Sequence, residues 1–349
     1  MMYGVDRVDL EHVWAHLGSC FDELNHAKLF ITGGTGFFGC WLLESLIFAK
    51  KEFNLDIEIG ILTRDIQRIQ NKCPHFFNIK NLHFYEGDIR DFSFPWRKYT
   101  HLIHAATPAS ARLNEQQPLE MYDTIFQGTR HVLDFAKVAQ IKKMLFVSSG
   151  AVYGKQPDHI SNLNENDMGA IDSLSMSSAY GLGKLMAEHI SGIFSRTLNV
   201  DLKIARCFAF VGPYLPLDTH FAIGNFIKNV LEQDDVRIQG DGRPLRSYLY
   251  ATDLVISLLK ILCDGKPMGV YNVGSEQAIS IKDLADLVNH QYHGQAKVIV
   301  RDLPLEGQAI PKYIPSTQKI QKELGINQYI SLQAAIQKTI NWNLNKWKR

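Results

Sequence analysis

The chain has 349 residues, 46% of them hydrophobic and 21% charged, which is the composition of a globular protein with one large or two modest cores. A formal net charge of +1 leaves no electrostatic footprint for nucleic acid or an anionic membrane surface. The five cysteines are scattered, odd in number and form no CxxC, which argues against a disulfide framework or a structural zinc and fits a reducing compartment. No early apolar core reads as a signal peptide and no stretch reaches the roughly 20 apolar residues of a membrane helix, so a cytoplasmic location is expected.

Residues 1–26 read as one amphipathic helical extension, with Leu10, Val13, Trp14, Leu17 and Phe21 on one side. From residue 28, short apolar runs alternate with helix-like segments. The runs are Lys28–Thr32, Ile57–Thr63, Leu82–Glu86, His101–Ala105, Met144–Ser148 and Leu202–Arg206, and helical patterns cover 38–50, 119–139 and 177–197. This alternation predicts an α/β fold, a Rossmann-type doubly wound parallel sheet over residues 27–206. Beyond it, turn formers at 212–220 and 240–244 precede a helix over 251–263, a strand over 270–273 and a helix over 280–290 with Ser280 as N-cap. Residues 207–349 are expected to form mainly a smaller C-terminal lobe for substrate, closing over the sheet's carboxyl edge.

The first strand runs into Thr32-Gly33-Gly34-Thr35-Gly36-Phe37-Phe38-Gly39, and an apolar helix follows. In this GxxGxxG spacing Gly33 allows a tight turn, Gly36 lets backbone approach a pyrophosphate, and Gly39 lets helix and strand pack closely. The helix N-terminus then offers free N–H groups to phosphates. Phe37 and Phe38 are core or cofactor wall. After the second strand comes Arg64. An arginine there suits a 2′-phosphate and leans the cofactor toward NADP over NAD, the other reading being a solvated loop cation. Asp65 beside it is placed to face the ribose.

Ser177 to Lys184 opens a helix on which Tyr180 and Lys184, four apart, share a face. A free tyrosine titrates near ~10, and a nearby ammonium favours its phenolate, so the pair suits acid/base chemistry on a sugar hydroxyl or ketone. Upstream, the strand 144–148 delivers Ser148 and Ser149 to the carboxyl edge, where open α/β sheets bind ligands.

Taken in order, Gly33/Gly36/Gly39, Gly87-Asp88-Ile89, His104-Ala105-Ala106, the run Ser148 to Gly154 and Tyr180-x-x-x-Lys184 resemble the extended short-chain dehydrogenase/reductases, in their nucleotide-sugar epimerase/dehydratase branch, over about residues 27–340. The resemblance implies that Asp88 and Ile89 contact the adenine and that Ala105, Ala106 and Thr107 line the inner side of the cofactor. It makes Ser149 the catalytic hydroxyl and Tyr180 the acid/base, with Lys184 also holding the nicotinamide ribose. Phe208 and Gly212-Pro213 would start the substrate loop, Asn225 and Phe226 would line the nucleotide pocket, and Arg246 would grip the diphosphate, as its planar fork allows. It also implies a homodimer through the helices 119–139 and 177–197.

Three departures limit what carries over. The slots where sugar 4,6-dehydratases place an Asp–Glu pair hold Gly150 and Ala151, and the glutamate of the related UDP-glucuronate decarboxylases is likewise missing at Ala151, although Thr107-Pro108-Ala109-Ser110 looks decarboxylase-like. Ala209 replaces the asparagine of the family's RxFNxxGP, and the asparagine common before Gly128-Thr129 is absent. His104 reads as structural. Asp218 and His220 offer a second acid/base only against the odds for loop residues, and Glu165 reads as part of a solvated loop. No His/Cys/carboxylate cluster suggests a metal. The expected function is NAD(P)-dependent epimerisation of a nucleotide-diphosphate sugar. NADPH-dependent reduction of a keto-sugar nucleotide comes next, then an atypical dehydration, and a non-catalytic dinucleotide-binding protein is a remote fourth.

Overall fold

The computed structural model describes residues 4–107, 110–167, 169, 171–219, 221–304 and 307–347. The chain opens with two helices, α1 (Arg7–Ala15) and α2 (Cys20–Leu24), where periodicity alone predicts one. Gly18 breaks the run at φ +48°, a left-handed conformation that glycine adopts without steric cost. Next come β1 (Lys28–Thr32), α3 (Phe37–Glu52), β2 (Glu58–Thr63), α4 (Ile66–Lys72), β3 (Leu82–Glu86), β4 (His101–His104), α5 (Ala111–Gln116), α6 (Pro118–Ala139), β5 (Lys143–Ser149), α7 (Ala179–Leu198) and β6 (Asp201–Cys207). The second half holds β7 (Phe210–Val211), α8 (Ala222–Leu231), β8 (Val236–Ile238), β9 (Leu245–Arg246), β10 (Leu249–Tyr250), α9 (Ala251–Asp264) and β11 (Val270–Val273). It ends with β12 (Ile279–Ser280), α10 (Ile281–Gln291), β13 (Val298–Val300), β14 (Lys312–Tyr313), α11 (Gln318–Leu324) and α12 (Leu332–Trp347).

Seven strands form one sheet in the order β11-β6-β5-β4-β1-β2-β3, every pair parallel. Alternate residues feed two cores, as the period of two in a strand requires. Leu29, Ile31, Leu145, Val147 and Ala205 point into one core with residues of α3 and α9. Phe30, Met144, Phe146, Leu202 and Ile204 point into the other with Val132, Phe135 and Ala187 of α6 and α7. The strand order reverses between β1 and β4, and the carboxyl ends of those strands therefore flank a crevice.

The seventh strand comes from beyond residue 206. β11 pairs with β6, and α9 before it is buried on nearly every side, so the chain does not leave the sheet for good at the end of β6. The remaining second half builds smaller units: the parallel pair β8–β13 and the three-stranded β12-β9-β14. Ser280 caps α10 as predicted, its hydroxyl accepting from Asp283 N at 3.0 Å. The N-terminal helices are tied down. Trp14 Nε1 donates to Ser45 O at 2.7 Å, and the Asp9 carboxylate takes the Tyr250 hydroxyl at 2.7 Å and Lys338 Nζ at 2.8 Å. All five cysteines are free and buried. Folding nevertheless brings Cys20 beside Cys263 and Cys40 beside Cys73. Among the described residues no helix is long and apolar enough to cross a membrane.

Candidate active site

The glycine turn joins β1 to α3 at the crevice. Gly33 has φ +72°, and a Cβ there would lie 2.7 Å from the backbone of Ala105 and Ala106, so the turn presses directly on the end of β4. A Cβ on Gly39 would stand 2.3 Å from Gly34 backbone, so α3 presses on the glycine turn itself, where helix-to-strand packing was expected of the third glycine. Gly36 differs. It is exposed, it N-caps α3, and a Cβ would meet only Gly33 O at 3.5 Å. The N-terminus of α3 thus faces open space, the arrangement that receives a pyrophosphate, and these residues fit a dinucleotide. The half-buried Phe37 and Phe38 rings stand 5.7 Å apart, and Phe38 meets Phe210 edge-on at 5.0 Å.

Around this turn the other residues expected on the cofactor side take distinct places. Arg64, just past β2, is exposed. Asp65 is used locally: its carboxylate accepts from Arg68 N at 2.8 Å and caps α4, an alternative to facing a ribose. Asp88 follows β3 and is held below the usual carboxylate range by its hydrogen bond to Arg90 Nε at 2.7 Å, with Arg64 adding to the effect. The Ile89 side chain turns inward against Gly128 of α6 and is 6% exposed. Ala105, Ala106 and Thr107 are half-buried, and Ala106 N donates to Thr32 Oγ1 at 3.2 Å. His104 is structural. It bonds Thr32 Oγ1 at 2.8 Å and Thr129 Oγ1 at 3.0 Å, and burial, with the Lys184 charge beyond it, pushes its pKa down to about 3, so it stays neutral.

Tyr180, Lys184 and Glu188 follow one another at four-residue steps along α7, and their face closes on the end of β5. Glu188 takes the Ser148 hydroxyl, Lys184 Nζ donates to Val147 O at 2.8 Å, and the Tyr180 phenol lies near Ser149. The start of α7 is clamped by Asn114 of α5, which accepts from Tyr180 N at 2.9 Å and donates to Ser177 O at 2.8 Å. Shared helix face is therefore right, but the electrostatics differ from the simple expectation. Burial pushes the Tyr180 phenol above its ordinary value, and the group that pulls it down is Ser149. The Lys184 ammonium is turned to a strand carbonyl and lies 4.9 Å from the centre of the Phe146 ring.

Burial lowers Lys184 to about 8. Between about 8 and 10.5 the unfolded chain holds a proton that the folded chain has released, so stability rises with pH across that window. Below it the buried ammonium costs roughly 3 kcal/mol by the size of the shift. Lys184→Met should consequently be more stable than the parent at pH 7, with the advantage shrinking as pH climbs toward 10. Denaturant midpoints across that range check this, and an advantage that grows with pH would refute it.

Behind Ser149 lies a buried polar network that the sequence does not announce. Glu188 binds Arg206 in a fork, Oε1 to Nε at 3.0 Å and Oε2 to the terminal nitrogen at 2.7 Å. Arg206 stacks 4.8 Å from the centre of the Tyr153 ring, and the Tyr153 hydroxyl donates to Asn272 Oδ1 at 2.7 Å. Glu165, expected in a solvated loop, is docked into this network. Its carboxylate accepts from Asn272 N at 2.8 Å and its carbonyl from Arg206 at 3.2 Å. Two long-range partners, Asn272 and Arg206, capture the loop.

Beside Gly150 the structure brings Phe208 and, through the pairing of β14 with β9, Arg246 to a residue absent from the sequence-based set, Tyr313. The rings of Phe208 and Tyr313 are 4.7 Å apart, and β14 sets Tyr313 opposite Arg246 of β9. Arg246 donates to Leu245 O at 2.8 Å and to Pro311 O at 3.4 Å. No local signal marks Tyr313, since its two-residue strand exists only by pairing with β9. Cys207, at the end of β6, is the second unforeseen neighbour, and burial raises its thiol to about 12. Asn225 and Phe226 sit apart on α8; Phe226 is buried, and Asn225 N–H bonds Phe221 O at 3.0 Å. Asp218 is exposed, whereas His220, Pro108 and Ala109 lie outside the described residues. Among the described residues no group of His, Cys, Asp and Glu is arranged to hold a metal ion.

A profile of the NAD dependent epimerase/dehydratase family matches residues 29–274, a span running from β1 through β11. The chain belongs to that family. Within it, a UDP-glucuronic acid decarboxylase of Arabidopsis thaliana is 27% identical over 274 residues, covering 78% of this chain and 59% of its own length. The chain thus spans less than two thirds of that relative. Among solved structures, a UDP-glucose 4-epimerase from Thermotoga maritima with UDP-glucose superposes with TM-score 0.77 at 21% identity, covering 92% of this chain and 99% of the other. A dTDP-glucose 4,6-dehydratase from Streptomyces venezuelae, with NAD bound, gives 0.78 at 21% identity, covering 92% and 98%. At these identities the family member shares the fold with enzymes of different named reactions.

Proposed function

We propose that this family member epimerises a nucleotide-diphosphate sugar through a transient keto sugar, with Ser149, Tyr180 and Lys184 as the catalytic set. One observation carries the reading. Ser149 lies near Tyr180, while the adjoining Gly150 and Ala151 bear no carboxylate, and Phe208 and Tyr313 fill the space beside Gly150. Proton transfer at a sugar hydroxyl is provided for. Loss of water or of carbon dioxide is not, since no acid stands where those reactions place one.

A bound nicotinamide supplies a reversible hydride acceptor. Tyr180 as phenolate takes the hydroxyl proton through Ser149 and returns it when the ketone is reduced again. Lys184 holds the nicotinamide ribose and favours the phenolate once the dinucleotide is in place. Asp88, Ile89, Ala105, Ala106 and Thr107 line the cofactor, and Gly33, Gly36 and Gly39 shape its phosphate turn. Arg246 pairs with the substrate diphosphate, with Phe208 along the sugar path. Two copies associate through α6 and α7, whose faces leave Val138 54% and Ile193 53% exposed. A second reading, one-way reduction with NADPH, is favoured by the exposed Arg64 at the ribose end of the turn.

The test is to incubate the protein with UDP-, dTDP-, GDP- and CDP-sugars, identify products by mass and NMR, and assay the cofactor released on denaturation. An isomer of unchanged mass, formed without net cofactor oxidation, is expected. Products lighter by water or carbon dioxide would overturn the proposal, and stoichiometric NADPH consumption would select the second reading.

A further inference from the structure

We propose that Tyr214 is a positioning residue: its hydroxyl, held by Glu44 of α3, keeps the segment after Gly212-Pro213 in the turn that presents it to substrate. The inference rests on the reading of that segment as the substrate loop of the proposed enzyme. The segment runs on from Phe208, whose ring would stand 2.8 Å from a Cβ on Gly150. It leads into α8, where a Cβ on Gly224 would meet Pro216 O at 2.8 Å.

Between those ends, one face of α3 grips the chain at three-residue intervals. Phe38 meets the Phe210 ring edge-on at 5.0 Å, Trp41 Nε1 donates to Pro213 O at 2.7 Å, and Glu44 Oε1 accepts from the Tyr214 hydroxyl at 2.6 Å. Because α3 begins at the glycine turn, the helix whose N-terminus suits a pyrophosphate also fixes the loop on the substrate side.

Tyr214 needs such a hold. Its φ is +71°, in the left-handed region that a bulky side chain rarely adopts. Strain of this kind persists only where the surroundings over-determine it. Here the ring is buried, with Trp342 edge-on at 5.1 Å and Lys72 Nζ 5.1 Å from its centre. Lys72 in turn donates to Thr35 O of the glycine turn at 3.3 Å. Glu44 is fully buried, and its Oε1 also accepts from Gly4 N at 3.0 Å and lies 2.8 Å from His75 Nε2. Oε2 has no partner among the described residues, so the grip on Tyr214 passes through Oε1 alone. Burial, with the Glu44 charge beside it, raises the phenol and keeps it a donor. Ring contacts place the side chain, and the hydrogen bond decides how closely the backbone of the turn is drawn to α3.

Tyr214→Phe keeps the ring between Trp342 and Lys72 and removes only the hydroxyl. Hydrogen exchange followed by NMR reads the hold at two points, the Leu215 amide, which donates to Gly212 O at 3.2 Å, and the Trp41 indole N–H. In the NAD-loaded protein both should exchange roughly tenfold faster in Tyr214→Phe, the worth of one hydrogen bond to a charged acceptor, while the amides of β1 keep the parent's rates. Glu44→Gln, which retains an acceptor oxygen without the charge, should fall between the two. With a nucleotide sugar that the parent turns over, KM of Tyr214→Phe should rise several-fold with kcat nearly unchanged, the mark of lost ground-state binding. A merely structural role would instead lower kcat through loss of folded protein and leave KM alone. Exchange at the parent's rate overturns the proposal, as does a kcat loss with KM unchanged. Should the parent turn over no nucleotide sugar, the epimerase reading fails, while exchange still decides whether Glu44 and Tyr214 hold the loop.

Discussion

Tyr180→Phe is expected to lower kcat by about 10²–10⁴-fold, the usual contribution of a positioned acid/base. The fold and the dinucleotide site should survive the change. Phenylalanine keeps the ring that packs with the α6–α7 core, and the clamp from Asn114 engages the backbone N–H of residue 180, not its side chain. Only the phenol hydroxyl, the group next to Ser149, is lost. The loss should fall on kcat, with KM nearly constant, because in the proposed mechanism the phenol acts on the moving proton and not on the nucleotide. Steady-state kinetics on the nucleotide sugar found by product analysis, with bound cofactor quantified in both proteins, checks it. Turnover close to the parent's would place the base elsewhere.

The largest effect on stability is expected at Glu188. Its side chain is 7% exposed and that of Arg206 13%, and the two form a forked pair under the carboxyl end of β5. Glu188→Ala strands a guanidinium in a site with little water and also strips the Ser148 hydroxyl of its acceptor. Removing one partner of such a pair costs about 3–5 kcal/mol. Replacing both is far milder, so Glu188→Leu combined with Arg206→Met should recover much of the loss. Denaturant unfolding of the parent, both single variants and the double variant gives the coupling directly. Additive losses would show that the pair does not act as a unit. Activity should drop in Glu188→Ala beyond what stability explains, because Ser148 leads straight into Ser149 on β5.

The strands of the main sheet and the helices between them are legible along the chain, since alternation of two and 3.6 residues is a local property. Leu82–Glu86 and Val270–Val273 emerge with the bounds their apolar runs suggest, and the Ser280 cap is visible in three adjacent residues. The spacing of Gly33, Gly36 and Gly39 likewise states its backbone demands, and the four-residue step from Tyr180 to Lys184 implies a shared helix face. One extension helix becomes two because a single glycine outweighs an apolar stripe in a short segment.

Other features depend on partners far away in sequence. That β11 completes the main sheet depends on α9 covering β5 and β6, which no window of neighbouring residues contains. The loop with Glu165 looks solvated because its composition is polar, yet Asn272 and Arg206 supply the hydrogen bonds that hold it inside. Lys184 is near Tyr180 by helix geometry, but where its ammonium points is set by the Val147 carbonyl on another element. Tyr313 is the clearest case. Its neighbours Ser149, Phe208 and Arg246 come from three other segments, and β14 has no hydrophobic period of its own. Periodicity and spacing thus set the glycine turn and the helix face that Tyr180 and Lys184 share. Packing between distant elements set the direction of each polar group around Ser149, because a hydrogen bond depends on distance and angle, and those are known only once the chain has closed on itself.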